Sequence, residues 1–160
     1  MLANEYLNNT YVNTIVCLDE TEVIGTFLAE ELADTSRLSL SADNNISVIT
    51  PEYNTLGQIM FRDNKQRMIE NQQVLILAAS VTTGKTISKA IESILYYGGT
   101  ECGVSAIFSA VTKVAGMEIK TIFTSKDIPD YRAYEPSDCP MCKAGQRVEA
   151  IVNSFGYSKL

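Results

Sequence analysis

The sequence predicts an α/β domain, a parallel sheet flanked by helices. Three observations carry this expectation. Strand-sized apolar runs alternate along the chain with stretches of helical periodicity. One run, Val74-Leu75-Ile76-Leu77, passes through a short hydroxyl-rich loop straight into a helical pattern. At 160 residues and 46% hydrophobic composition, the chain has the size and content of one packed core.

The elements follow in order. Thr14–Leu18 is apolar and β-branched, hence a strand, and a short acidic loop separates it from a helix at Val23–Ala33. Ile46–Thr50 reads as a second strand, followed by a polar insert with a hairpin around Gln58–Phe61. Val74–Leu77 is a buried strand and Thr86–Tyr97 a helix whose core-facing stripe is Ile87, Ala90, Ile91, Ile94 and Leu95. Gly98-Gly99 ends that helix, and strands follow at Cys102–Phe108 and Ile119–Phe123. Strand, helix, strand with a right-handed crossover gives parallel pairing and puts a ligand at the carboxyl ends of the strands. These elements make one domain over residues 1–125, with residues 126–160 forming a C-terminal arm.

Composition narrows the functional classes. A net charge of −6 without a basic stripe argues against nucleic acid as the principal partner. The longest apolar runs are strand-sized, which argues against a membrane span, and no signal-peptide pattern opens the chain. The expected location is therefore the cytoplasm. Histidine is absent, which removes serine–histidine and cysteine–histidine catalysis and any histidine-based metal site.

The candidate site is the loop Ala78–Lys85. Ser80, Val81, Thr82, Thr83, Gly84, Lys85 and Thr86 bring backbone N–H groups, hydroxyl donors and one cation to the start of a helix. The first-turn N–H groups of a helix lack intrahelical partners, and the helix dipole adds partial positive charge. Gly84 lets the main chain approach an anion closely. The arrangement is that of a phosphate cradle, with a threonine-capped turn as the plainer alternative. The spacing from Ala79 to Gly84-Lys85-Thr86 also satisfies a relaxed P-loop pattern. Against it, the next strand, Gly103–Ser109, does not end in the aspartate that a P-loop enzyme uses for its metal.

The run Val74–Thr86, continuing through the helix and Gly98-Gly99, resembles the signature of the phosphoribosyltransferase family: an apolar strand, two acidic residues, two small or apolar residues, then Thr-Thr-Gly-Gly-Thr. Thr14–Leu18 and Val23–Leu32 are similar to the first strand and helix of its orotate branch, so the likeness spans about residues 12 to 125. The resemblance implies the type I phosphoribosyltransferase-like fold, a phosphorylated sugar or nucleotide as ligand, magnesium as a cofactor and a homodimer. It also implies that Thr82–Thr86 hold a 5′-phosphate. The chain departs from the signature at Ala78-Ala79, where the family's acidic pair grips the ribose hydroxyls, and at Lys85, where it has glycine. Asp19-Glu20-Thr21-Glu22 puts negative charge where the family's pyrophosphate would lie, or else caps the helix through Glu22. Arg62, Lys65 and Arg67 are read as relics of the family's basic mobile loop or as solvated surface charge. The orotate enzymes carry a longer N-terminal hood over the base, whereas Met1–Asn9 has room for one short helix.

In the arm, Ile128–Asp138 reads as extended and irregular, and Arg147–Tyr157 as a short helix. Between them Cys139-Pro140-Met141-Cys142 looks like half of a zinc ribbon. Zinc at Cys139 and Cys142, completed by a second copy across a dimer axis, stands beside a redox pair and two ordinary thiols. Three functions stay open at this level. They are an orotate phosphoribosyltransferase-like transferase, a non-catalytic nucleotide-binding regulator on the same fold, and a P-loop nucleotide hydrolase.

Overall fold

A computed structural model of the chain describes residues 2–6, 11–36, 45–153 and 156–160. Its centre is a six-stranded sheet built from β1 (Thr14–Cys17), β2 (Ser47–Ile49), β5 (Gln73–Val81), β6 (Thr100–Ser109), β7 (Lys113–Val114) and β8 (Met117–Thr124). The strand order is β2-β1-β5-β6-β8-β7, and every pair is parallel except β7 with β8. The expected parallel α/β sheet is therefore present, extended by the antiparallel β7, which the sequence reading did not identify.

Alternating side chains of β5 feed opposite faces of the sheet, as the period of two requires. Val74, Ile76 and Ala78 join the cluster under helix α3 (Lys85–Tyr96), whereas Leu75 and Leu77 join the cluster under helix α1 (Glu22–Ser36). Each face is thus dry, which is why these strands are nearly continuous in apolar residues. α1 comes so close to β1 that a Cβ on Gly25 would sit 2.4 Å from the Cys17 sulfur. α3 buries Ile87, Ala90, Ile91 and Ile94, but Leu95 is 52% exposed, so the predicted stripe is one residue too wide. Gly98, at φ +78, ends α3 with its N–H on the Leu95 carbonyl.

The expected hairpin is formed by β3 (Glu52–Tyr53) and β4 (Ile59–Met60). It lies over α3, whose Ser93 hydroxyl donates to the Ile59 carbonyl at 3.0 Å. The short helix α2 (Asp63–Gln66) follows it. A single 3-10 turn, Ala3–Glu5, begins the chain, while Met1 and Leu7–Asn9 of the segment read as a short helix lie outside the described residues. The described part of Arg147–Tyr157 is not a helix. It forms a second hairpin from β9 (Ala150–Asn153) and β10 (Gly156–Lys159), with Ser154 and Phe155 outside the described residues. Ile151, Val152 and Tyr157 are β-formers, and that preference prevails over the weak helical spacing. Among the described residues, no helix is long and apolar enough to cross a membrane.

Candidate functional site

The direction of the strand order reverses between β1 and β5, and a parallel sheet opens a crevice at such a point beyond its carboxyl ends. A cleft of about 770 Å³ lies there, lined by Leu18, Asp19, Glu20, Tyr53, Ala79 and Ser80 among others. β5 runs four residues beyond the predicted Leu77, through Val81, because Ser80 and Val81 pair with Phe108 and Ser109 of β6. Ser80 and Val81 therefore belong to the strand rather than to the loop. The Val81 side chain is in the core, and Ser80 faces the cleft.

The turn proper is Thr82–Gly84, and α3 begins at Lys85. Gly84 is the residue before the helix, with φ +79, and a Cβ there would meet Val114 at 2.3 Å. Glycine is thus needed for both the left-handed conformation and the contact with β7. A glycine cap offers no side-chain oxygen, so the turn supplies backbone N–H groups with no built-in acceptor for them. Thr82 and Thr83 are exposed and line a second cleft of about 320 Å³, whose far wall is Tyr131–Glu135 of the arm. Tyr131 is seated edge-on against Phe108, with ring centroids 4.8 Å apart. Lys85 is paired with the arm: its ammonium is 2.7 Å from the Glu135 carboxylate. Thr86 is exposed in the first turn of α3.

The two positions of the missing acidic pair are not equivalent. Ala79 lines the switch-point cleft, whereas Ala78 is 1% exposed and belongs to the core under α3. Opposite Ala79, the β1–α1 loop places Asp19 and Glu20 in consecutive left-handed conformations, φ 54 and 59. Non-glycine residues held there cost about 1–3 kcal/mol each and cluster at functional sites. Burial raises the pKa of Asp19, opposed by the backbone N–H groups of Ser80 and Ala79 that favour its charged form. Tyr53 is raised by its own burial and then by the Asp19 charge. Thr21 is structural, its buried hydroxyl donating to the Leu18 carbonyl at 2.8 Å, while Glu22 occupies the first turn of α1. The expected acidic loop does border the cleft, which Asp19, Glu20 and Glu22 all line; that it stands across from Ala79 was not legible in the sequence.

Arg62 and Lys65 are tied elsewhere. Arg62 forms a two-pronged pair with Glu52, its closest approach 2.7 Å, and Lys65 donates to the Thr50 carbonyl at 2.7 Å. Both brace the β3–β4 insert, and Arg67 is exposed. Magnesium takes several oxygen ligands, yet the described residues contain no group of three or more histidine, cysteine, aspartate or glutamate side chains able to hold a metal. Asp19 and Glu20 line the cleft, and magnesium is commonly held by one or two carboxylates together with the phosphate oxygens of a ligand. Cys139 and Cys142 lie on the turn of α4 (Pro140–Lys143), and among the described residues no third histidine, cysteine, aspartate or glutamate joins them.

No known family model matches the chain. Two orotate phosphoribosyltransferases are similar in sequence. The one from Pelotomaculum thermopropionicum is 26% identical over 46% of this chain and 38% of its own length. The one from Chlorobaculum parvum is 25% identical over 50% of this chain and 40% of its own. The matched part thus spans about two fifths of these relatives. Among solved structures, adenine phosphoribosyltransferase from Rhodothermus marinus aligns with a TM-score of 0.53 at 16% identity, covering 77% of each chain. Adenine phosphoribosyltransferase from Thermoanaerobacter pseudethanolicus gives 0.51 at 17% over 78% of this chain and 76% of its own. The hypoxanthine enzyme from Staphylococcus aureus gives 0.51 at 16% over 82% and 69%. At such identities the structural likeness establishes the fold.

Proposed function

We propose, for a chain that belongs with the phosphoribosyltransferases by fold and by sequence likeness, that it binds the 5′-phosphate of a phosphorylated ribose or nucleotide at Thr82–Thr86 and has lost most of the family's transfer activity. The observation that carries this reading is the pairing of an intact turn with an empty clamp. Thr82, Thr83 and the capless start of α3 provide donors for a phosphate, while Ala79 offers the neighbouring cleft a methyl group where a carboxylate would hold the ribose diol.

The size of the loss decides between catalyst and binder. A charge-assisted hydrogen bond is worth about 1.5–3 kcal/mol, and only Ala79 of the two alanines meets the cleft, so the missing carboxylate there removes roughly 1.5–3 kcal/mol. If that stabilisation belongs to the transition state, the rate falls by roughly tenfold to a hundredfold. Phosphate binding survives because its donors are backbone amides and hydroxyls that the two alanines do not touch. Lys85 adds positive charge beside the turn, but its ion pair with Glu135 competes with any anion for it. The same pair weakens the P-loop reading, in which this lysine must reach the β- and γ-phosphates.

A thermal-shift panel tests the proposal. Ribose 5-phosphate and a nucleoside monophosphate are expected to raise Tm, with little dependence on magnesium, while free ribose has no effect. Steady turnover of phosphoribosyl pyrophosphate with orotate would show an active transferase instead. Hydrolysis of ATP abolished by Lys85→Ala would point to the nucleotide hydrolase.

A further inference from the structure

Cys139 and Cys142 line neither cleft at the carboxyl end of the sheet. They face a separate shallow hollow on the arm, with Met141, Arg147 and Glu149. The chain's other two cysteines differ from them: Cys17 is buried against α1 and Cys102 is half-buried in β6. Two thiols alone do not close a zinc site, which needs four ligands, and the described residues supply no third. The pair therefore needs a chemistry that two sulfurs can complete by themselves.

We propose that Cys139 and Cys142 form a dithiol–disulfide exchange site for low-molecular-weight disulfides, with Cys139 as the attacking sulfur and Cys142 as the resolving one. The geometry separates the two roles. The Cys139 sulfur, at the residue before α4, accepts the Cys142 backbone N–H at 3.4 Å. Pro140 has no N–H to contribute, so the Cys142 N–H is the donor that the turn aims at this sulfur. Negative charge is accordingly best accommodated on Cys139, while Cys142 keeps its proton. The turn is closed by Lys143 N–H on the Cys139 carbonyl at 3.0 Å and by Gly145 N–H on the Cys142 carbonyl at 3.1 Å. Residues three apart in a turn have Cα atoms within about 7 Å, in the range that a disulfide spans. Cys142 is open to solvent and Cys139 partly so.

The exchange balances. The Cys139 thiolate attacks one sulfur of R–S–S–R, a Cys139–S–R bond forms, the original S–S bond breaks, and R–S⁻ leaves to take a proton from water. Cys142 then gives its proton to solvent and attacks the Cys139 sulfur, forming the internal disulfide and releasing the second R–S⁻. Two protein thiols lose two electrons, and one small disulfide becomes two thiols.

The test treats the full chain with oxidised glutathione, traps remaining thiols with iodoacetamide and maps the products by mass. The expected product is one Cys139–Cys142 disulfide, reversed by dithiothreitol, with Cys17 and Cys102 left as thiols. Cys142→Ser is expected to stop at a mixed disulfide on Cys139, and Cys139→Ser to react about tenfold more slowly or less. Both residues sit on an exposed turn, so neither variant disturbs the core. Equal reaction rates of the two variants, absence of the internal disulfide, or one zinc ion per chain or per pair of chains that shields both thiols would each overturn the proposal. None of these outcomes bears on the phosphate turn, so the two proposals stand or fall separately.

Discussion

Gly84 shows how much a single residue can fix. Its φ of +79 and its contact with Val114 exclude any side chain, for two separate reasons. Gly84→Ala is expected to destabilise the fold by about 2–4 kcal/mol, read as a lowered denaturation midpoint. Adding Val114→Ala should recover only the steric part, so the double variant stays less stable than Val114→Ala alone. Ala79 and Ala78 separate in the same way. Ala79→Asp places a carboxylate in the cleft and is expected to tighten nucleotide binding tenfold or more in magnesium, measured by calorimetry. Ala78→Asp buries a charge beneath α3 and is expected to abolish cooperative folding near neutral pH. Asp19 gives a pH signature. Its folded pKa is raised, chiefly by burial, so the folded state binds the proton more tightly than the unfolded chain does. That contribution is present below the unfolded carboxylate value and is lost as pH rises through the folded one. Asp19→Asn should therefore raise Tm near neutral pH, with the gain fading below about pH 4. Asparagine keeps the tolerance for the left-handed backbone at this position.

At the scale of elements, the arm is what the loop meets. Tyr131 rests on Phe108 and Glu135 pairs with Lys85, so the stretch 131–135 forms one wall of the cleft beside Thr82 and Thr83. The Lys85–Glu135 pair is 68% and 47% exposed, and such pairs contribute at most about 1 kcal/mol. Glu135→Gln should leave Tm nearly unchanged yet tighten ribose 5-phosphate binding severalfold, because Lys85 is released and a nearby negative charge is gone. An unchanged dissociation constant would show that Lys85 does not contribute to the anion site. The strands and helices around the loop were readable because each carries a clean period: Ile87, Ala90, Ile91 and Ile94 mark one face of α3, and Val74–Leu77 a strand buried on both sides. β7 is two residues long, too short to leave a pattern, although its Val114 decides what can stand at position 84. The β9–β10 hairpin was misread because its alternation is broken by Asn153-Ser154 and overlaps a helical spacing of Val148, Ile151 and Val152.

For the whole molecule, stability resides in the two clusters that sandwich the sheet, not in the C-terminal hairpin. Ile76 is fully buried under α3, and Ile76→Ala is expected to cost about 2–5 kcal/mol. Ile151, Val152 and Tyr157 of the hairpin are all more than half exposed. A chain ending at Asp138 should therefore unfold within a few degrees of the full chain, still cooperatively. A large drop in Tm would mean that the hairpin packs on the domain more firmly than its exposure indicates.

The order of the residues by itself determined the class of fold, the central strand, the helix behind it and the threonine–glycine turn between them, because hydrophobic period and glycine chemistry act over a few neighbouring positions. Only the tertiary structure decided that Ala79 and not Ala78 meets the cleft, that Asp19 and Glu20 stand across from it, and that Glu135 claims Lys85. Those relations join residues about fifty or more positions apart, and they are set by strand order and by which face of a strand each side chain takes.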